Sequence, residues 1–286
     1  GLCRRRVTVG SSHKKTGVHG QRRRRRGTAA GMADEAGGMT DGSGGGGAHD
    51  GEAPRASAAA ESSSAVSLPV PFFVQTTDLN CGPTALRMAL SFLSDADDYD
   101  LPLIEAAVGI QDGKAVSTIR LAIAAAKLGF PAAFRSTSLF FNEAHLDNPY
   151  YQRFGDLDLE ESKVLVAEAE AVGVDLAERS LSLAEVTASV GRDALAIALL
   201  DMNIVYGEEG GGYLGHFVPV VGFEPDGSAV LVHNQARERP ASFMRVSAEV
   251  FDRARHATGT DEDLVLLRRP GSDAPAAGTR GDGGDG

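Results

Sequence analysis

Residues 75–88 read QTTDLNCGPTALRM and place a cysteine at the predicted start of a helix. Apolar side chains recur at helical spacing through residues 83–93, which predicts that this helix is buried. Pro83 suits the first helical turn because the N–H that proline lacks would have no partner there. The unpaired N–H groups of a helix start favour negative charge, so Cys81 is placed to form a thiolate.

Three further side chains complete a candidate nucleophilic site around Cys81. Gln75 lies six residues upstream, and its amide can return beside the sulfur to form an oxyanion hole with the Cys81 N–H. His216 begins a predicted strand after the glycines at 210–212, and Asn234 ends the strand that returns beside it. We therefore expect His216 to act as the base and Asn234 to orient its ring.

The spacing of apolar residues predicts helices mainly in the first part of the domain and strands mainly in the second. Helices are predicted at residues 83–93, 116–128, 159–172, 182–191 and 247–255. Strands are predicted at residues 132–136, 194–200, 216–223, 229–233 and 264–267, with a tight turn at 224–227. This order indicates an α+β fold in which N-terminal helices pack on an antiparallel sheet.

The folded domain is expected to span residues 67–269. Residues 1–66 are mainly Gly, Ser, Ala, Arg and acidic residues, and 270–286 are similar, so both are predicted to be disordered. Residues 1–31 hold ten Lys and Arg and no Asp or Glu, and Met32 opens a more ordinary run. We expect residues 1–31 to be translated leader rather than native sequence; the alternative is a basic nucleic-acid or targeting arm.

Composition and charge limit the classes of partner. The formal net charge is −11 although residues 1–31 are strongly basic, so the domain is acidic and nucleic acid is not expected as its main partner. No apolar run approaches the ~18 residues of a membrane span, and no secretory signal is predicted. The only cysteines are Cys3 and Cys81, which disfavours an internal disulfide or a multi-cysteine zinc site and favours a cytoplasmic location.

Several separated motifs resemble known families. Gln-x5-Cys-Gly-Pro, Gly-His-Phe-Val-x-Val-x-Gly-Phe and a Val-x-Asn strand end resemble the C39-like branch of papain-like cysteine peptidases. More closely, Val70-Pro71, residues 148–154 (NPYYQRF) and residues 258–264 (TGTDEDL) resemble the guanylyl cyclase family of plants and the related animal proteins. The resemblance implies a papain-like fold, with these residues at catalytic-type positions: Gln75, Cys81, His216 and Asn234.

Other polar residues are interpreted as structural. His233 is expected at the surface by strand alternation, and His145 is expected to be solvated. The run from Asp261 to Asp263 is predicted to be a solvated strand start, since three adjacent carboxylates on a strand cannot all face one ion. Gln235 stands where the resemblance implies proline, which predicts a looser loop around Asn234. No metal or cofactor is predicted.

Three functions remain open. The sequence favours a thiol hydrolase or transferase that acts on a peptide, protein or small amide through the four catalytic-type residues. The resemblance implies instead a cyclase that converts GTP to cyclic GMP, although the chain shows no phosphate-binding Gly-x4-Gly-Lys loop, and lysines are sparse in the domain. The third function is a non-catalytic module that binds a peptide or protein in the same cleft.

Overall fold

A computed structural model of the chain describes residues 66–94 and 99–272. The expectations for residues 1–65 and 273–286 lie outside the described residues. The helices are α1 Cys81–Leu93, α2 Leu101–Val108, α3 Thr118–Lys127, α4 Pro149–Phe154, α5 Leu159–Ala171, α6 Leu183–Ala188, α7 Met202–Tyr206 and α8 Ala248–Arg255. The strands are β1 Val66–Ser67, β2 Ala132–Ser136, β3 Asp175–Glu178, β4 Ala194–Asp201, β5 Gly215–Phe223, β6 Ala229–Asn234, β7 Ala241–Ser247 and β8 Leu264–Arg268.

The strands form one sheet in the order β3-β2-β8-β4-β5-β6-β7, and β1 pairs with β5 outside this path. Neighbouring strands are antiparallel except β2 and β3, which are parallel. A parallel pair needs a long crossover, and the chain supplies one through α4 and α5. The mixed α and β class is confirmed, but the expectation of a purely antiparallel sheet is wrong at this edge.

The buried helix predicted at residues 83–93 is confirmed as α1, which packs against β5, β4 and α3. Its start lies very close to β5: a Cβ added to Gly82 would lie 3.1 Å from the Phe217 ring and 3.2 Å from Leu121. Only glycine therefore fits at this position without displacing a neighbour. The tight contact holds Cys81, the first residue of the helix, against the beginning of β5.

Two predicted helix starts are also confirmed. Ser117 occupies the N-cap position of α3. Ser182 accepts a hydrogen bond from the Glu185 N–H, and the Glu185 carboxylate returns to the Ser182 N–H, which forms the predicted capping box of α6. In the two described ranges, we find no helix with the length and apolar character needed to cross a membrane.

Candidate functional site

Cys81 is buried at the junction of α1 and β5, with 7% of its surface exposed. Burial raises the pKa of its thiol, and backbone hydrogen bonds from Phe217 and Gly82 oppose that rise. The helix start and the β5 backbone therefore favour a thiolate, as the sequence predicts, but desolvation outweighs them. In this closed arrangement Cys81 is a neutral thiol at neutral pH.

His216 and Asn234 lie together at one end of the β5–β6 hairpin. Burial lowers the pKa of His216 to about 4, and a hydrogen bond with the Asn234 side chain raises it by less. Asn234 is itself held by hydrogen bonds of 2.8 Å from its Nδ2 to the Tyr206 hydroxyl and to the Arg239 carbonyl. Among the described residues the Nε2 atom of His216 has no hydrogen-bond partner, so one ring nitrogen is left unengaged.

The Gln75 side chain turns toward its own loop. Its Nε2 donates to the Thr77 carbonyl at 2.8 Å, and its Oε1 is buried with no partner in the described part of the chain. Its backbone N–H donates to the Gln235 carbonyl at 3.0 Å, which places residue 75 beside the end of β6. The oxyanion role of Gln75 stays a prediction.

Gln235 connects the elements that carry the candidate site. Its side chain is fully buried and donates to the Cys81 carbonyl at 2.9 Å and to the Phe217 carbonyl. Its own carbonyl accepts the Gln75 N–H. The looser loop expected from a missing proline is therefore wrong, because glutamine ties the loop to both α1 and β5. A polar residue directly after a predicted strand was the only sequence signal for this role.

The expectation of a surface position for His233 is wrong. Its Nδ1 accepts from the Phe243 N–H at 3.0 Å, and its Nε2 lies 3.1 Å from the Val70 carbonyl. The ring also packs edge-on against Phe72 and Phe243. Strand alternation placed this side chain on the face away from Asn234, but the chain around Val70 covers that face. His233 is a satisfied core histidine.

A cavity of about 200 Å³ lies next to the Cys81 site. Among the described residues its lining includes Tyr150 and Phe217 but neither Cys81 nor His216. Burial raises the pKa of Tyr150, and the neighbouring Cys81 raises it further. Tyr150 thus lines the cavity and is also close enough to the thiol to interact with it electrostatically, and its hydroxyl donates to the Gly215 carbonyl at 3.3 Å. Seven phenylalanine and tyrosine side chains form part of the wall: Phe134, Phe140, Phe141, Tyr150, Tyr151, Tyr213 and Phe217.

Asp263 supplies to this cavity a carboxyl group with one unsatisfied oxygen. Burial raises its pKa to about 7, the Thr118 and Ser136 hydroxyls lower it, and Asp261 raises it further. Its Oδ1 has no hydrogen-bond partner in the described residues. Asp261 and Glu262 adopt positive φ values of 47° and 57°, so the chain turns sharply before Asp263. The predicted solvated strand start is therefore wrong for Asp263.

His145 is buried at the same cavity, so the expectation that it is solvated is wrong. Its ring stacks on Tyr151 at a centroid distance of 4.3 Å, and its Nε2 lies 3.2 Å from the Asp261 carboxylate. Tyr151 in turn stacks on Tyr213 and donates to the Gly259 carbonyl. Through these contacts, the segment around α4 packs against the turn before β8 and forms one side of the cavity.

Comparison with known proteins identifies similar sequences over the same domain. A family model described as "Guanylylate cyclase" matches residues 70–267. The chain is also 24% identical over 213 residues to Guanylyl cyclase 1 of Arabidopsis thaliana, and the aligned part covers 69% of this chain and 75% of the plant protein. The family match includes α1, all strands from β2 to β7, most of β8, and the cavity.

Proposed function

The chain belongs to the guanylylate cyclase family, and from this premise we propose that it converts GTP to cyclic GMP and pyrophosphate. The family match over residues 70–267 carries the proposal, since it covers nearly all of the described domain. In this reaction the ribose 3′ oxygen bonds to the α-phosphorus, and the bond from the α-phosphorus to the bridging oxygen breaks, so that pyrophosphate leaves with that electron pair. The 3′-hydroxyl proton passes to solvent water. Sequence patterns alone favoured thiol chemistry, and the family match reverses that order.

The aromatic cavity is our candidate for the nucleotide site. Phosphate groups need cations, and the basic residues that adjoin lining residues along the chain are Lys114, Arg120, Arg135 and Arg153. Of these, Arg120 pairs with Asp156 and Arg135 with Asp175. In residues 66–94 and 99–272 no three His, Cys, Asp or Glu side chains converge as a metal site. We therefore assign no step to a resident metal. Cys81 is a free thiol, which suits the cytoplasmic location that we also propose.

Purified protein incubated with GTP and a magnesium salt is expected to form cyclic GMP and pyrophosphate in equal amounts. Because Cys81 does not line the cavity, Cys81→Ala should keep the rate within about threefold of wild type. Chromatography of the nucleotides, with a coupled pyrophosphate assay, measures both products. ATP supplied in place of GTP serves as the substrate control.

Two outcomes of this experiment distinguish the cyclase reaction from thiol chemistry. The cyclase proposal is contradicted if no cyclic GMP forms at any protein concentration. It is also contradicted if the activity that forms cyclic GMP separates from the protein during purification. If Cys81→Ala forms no cyclic GMP but still unfolds at the wild-type temperature, the reaction depends on the thiol site rather than on the cavity.

Thiol hydrolysis or transfer on an amide, in a papain-like fold, is the second candidate, and the contact between His216 and Asn234 favours it. In this reaction the Cys81 sulfur bonds to the carbonyl carbon, His216 takes the thiol proton and returns it to the leaving nitrogen, and the amide C–N bond breaks. Water or an acceptor amine then takes the acyl group from the sulfur, and its proton returns to Cys81. Asn234 would orient the ring, and Gln75 with the Cys81 N–H would bind the oxyanion. Burial of both thiol and imidazole in neutral form weighs against it.

Iodoacetamide is expected to label Cys81 at pH 7.5 at least about tenfold more slowly than it labels free cysteine. The reasons are the raised thiol pKa and the burial of the sulfur. Mass spectrometry of the peptide that contains Cys81 follows the reaction, and urea-unfolded protein gives the reference rate. Labelling faster than free cysteine that slows in His216→Ala would instead support an activated thiol.

A further inference from the structure

We infer that the aromatic cavity binds the guanine ring and that the Asp263 carboxylate accepts hydrogen bonds from the N1–H and the 2-amino group of that ring. This inference rests on the proposed function, because it takes GTP as the ligand. It goes beyond the cyclase reaction by naming the part of the nucleotide that the cavity holds and the side chain that distinguishes guanine from adenine.

The charge of the cavity excludes a phosphate from its interior. No lysine or arginine is among its described lining residues, whereas three aspartates are. Asp156 accepts from Arg120 at 3.0 Å, and Asp261 lies 3.2 Å from His145. Asp263 alone among the three keeps a buried oxygen without a partner in the described structure. The interior therefore suits a neutral group that carries hydrogen-bond donors.

A second unpartnered group faces the same space. Ser117 lines the cavity, and its buried hydroxyl oxygen has no hydrogen-bond partner among the described residues. Buried polar atoms are nearly always satisfied, so two open ones in one cavity indicate a polar ligand. Ser117 and Asp263 come from different elements, the N-cap of α3 and the approach to β8, so the pair is not a local turn feature.

The size and the walls of the cavity fit one planar ring. Pockets that hold drug-sized molecules measure about 300–1,000 Å³. A cavity of about 200 Å³ is smaller, which leaves room for a base while the ribose and phosphates extend outside. Aromatic side chains stack on bases regardless of sequence, and Tyr150, Tyr213 and Phe217 contribute aromatic surface to the cavity. Stacking binds any base, so the selectivity must come from the polar groups.

The Asp263 carboxylate supplies that selectivity. Guanine presents N1–H and its 2-amino group side by side, so both oxygens of one carboxylate can accept from it. Adenine presents a ring-nitrogen acceptor on this edge, which repels a carboxylate. One good two-point contact of this kind discriminates between bases by about 10- to 100-fold. Burial raises the pKa of Asp263 to about 7, so the carboxylate form is available at pH 8.

Calorimetric titration of the full chain at pH 8 with guanosine and with adenosine tests the inference. Wild-type protein should bind guanosine at least about tenfold more tightly than adenosine. Asp263→Asn should reduce this preference to about twofold or less, because an amide offers one acceptor and also donates to the adenine acceptor. Asp226→Asn, in the exposed β5–β6 turn, is the matched control and should keep the wild-type preference.

The outcomes for the inference and for the cyclase reaction are distinguishable. A guanosine preference that Asp263→Asn leaves unchanged, or wild-type protein that binds both nucleosides equally or neither, overturns the inference even if cyclic GMP is formed. A preference that collapses only in Asp263→Asn supports the inference even if no cyclic GMP is detected, in which case the proposed reaction alone is wrong.

Discussion

Gln235→Ala is expected to lower the free energy of unfolding by about 3–5 kcal/mol. The substitution removes the donor to the Cys81 and Phe217 carbonyls and leaves a space in a fully buried site. It also frees the start of α1 from β5, so iodoacetamide should label Cys81 faster than in wild type. Urea denaturation with linear extrapolation measures the first effect, and peptide mass spectrometry measures the second.

Arg237→Ala is the matched control for this prediction. Arg237 lies two residues further along, and its ion pair with Asp78 is exposed, so its removal should change the stability by less than about 0.5 kcal/mol. A Gln235→Ala loss as small as that of Arg237→Ala would show that the loop does not depend on the glutamine contacts.

Asp263→Asn is expected to raise the free energy of unfolding at pH 8 by roughly 2–4 kcal/mol. The carboxyl of Asp263 has a pKa of about 7 in the folded chain and about 4 in the unfolded chain. When folding raises the pKa of an acid, its protonated form contributes fully to the free energy of unfolding below the unfolded pKa. For Asp263 this contribution is lost as the pH rises from about 4 to about 7. The neutral amide avoids that loss, so its advantage should disappear near pH 4.

Denaturation curves at pH 4, 6 and 8 test this sign. Asp226→Asn provides the opposite control, because hydrogen bonds from Ser228 lower the pKa of Asp226. Asp226→Asn should therefore show no gain in the free energy of unfolding, relative to wild type, between pH 4 and pH 8. An Asp263→Asn variant that is less stable than wild type at pH 8, or whose advantage is the same at pH 4, would contradict the assigned cause. If Asp263→Asn both stabilises the fold and removes base selectivity, Asp263 lowers stability in exchange for binding, as residues of functional sites often do.

Strong apolar patterns made the central elements predictable from sequence. The helix at 83–93 and the strands that became β4, β5, β6 and β8 are buried along most of their length, so their periods are clear. Strand β7 was missed because it is an edge strand with mostly exposed or half-buried residues. Helix α2 was missed because only Leu101, Ile104 and Val108 of its eight residues are buried.

The candidate site also has one part that the sequence predicts and one part that it does not. Counting outward from the turn at 224–227 placed His216 and Asn234 at one end of the hairpin, and their contact agrees with that count. The cavity could not be predicted, because it depends on how the segment around α4 packs over the sheet. The orientation of Asp263 depends on two non-glycine residues with positive φ, which no sequence pattern marks. The central elements of the fold and the contact between His216 and Asn234 were therefore easier to predict than the cavity.

The position of β8 has a consequence for how the protein is made. This last strand is inserted between β2 and β4, so it joins two groups of strands that would otherwise be separate. A nascent chain cannot complete its sheet on the ribosome until Arg268 has left the exit tunnel. Until then β2 and β4 each expose an unpaired edge, and such edges promote association between chains. Cells that produce this protein should need chaperones most during that interval.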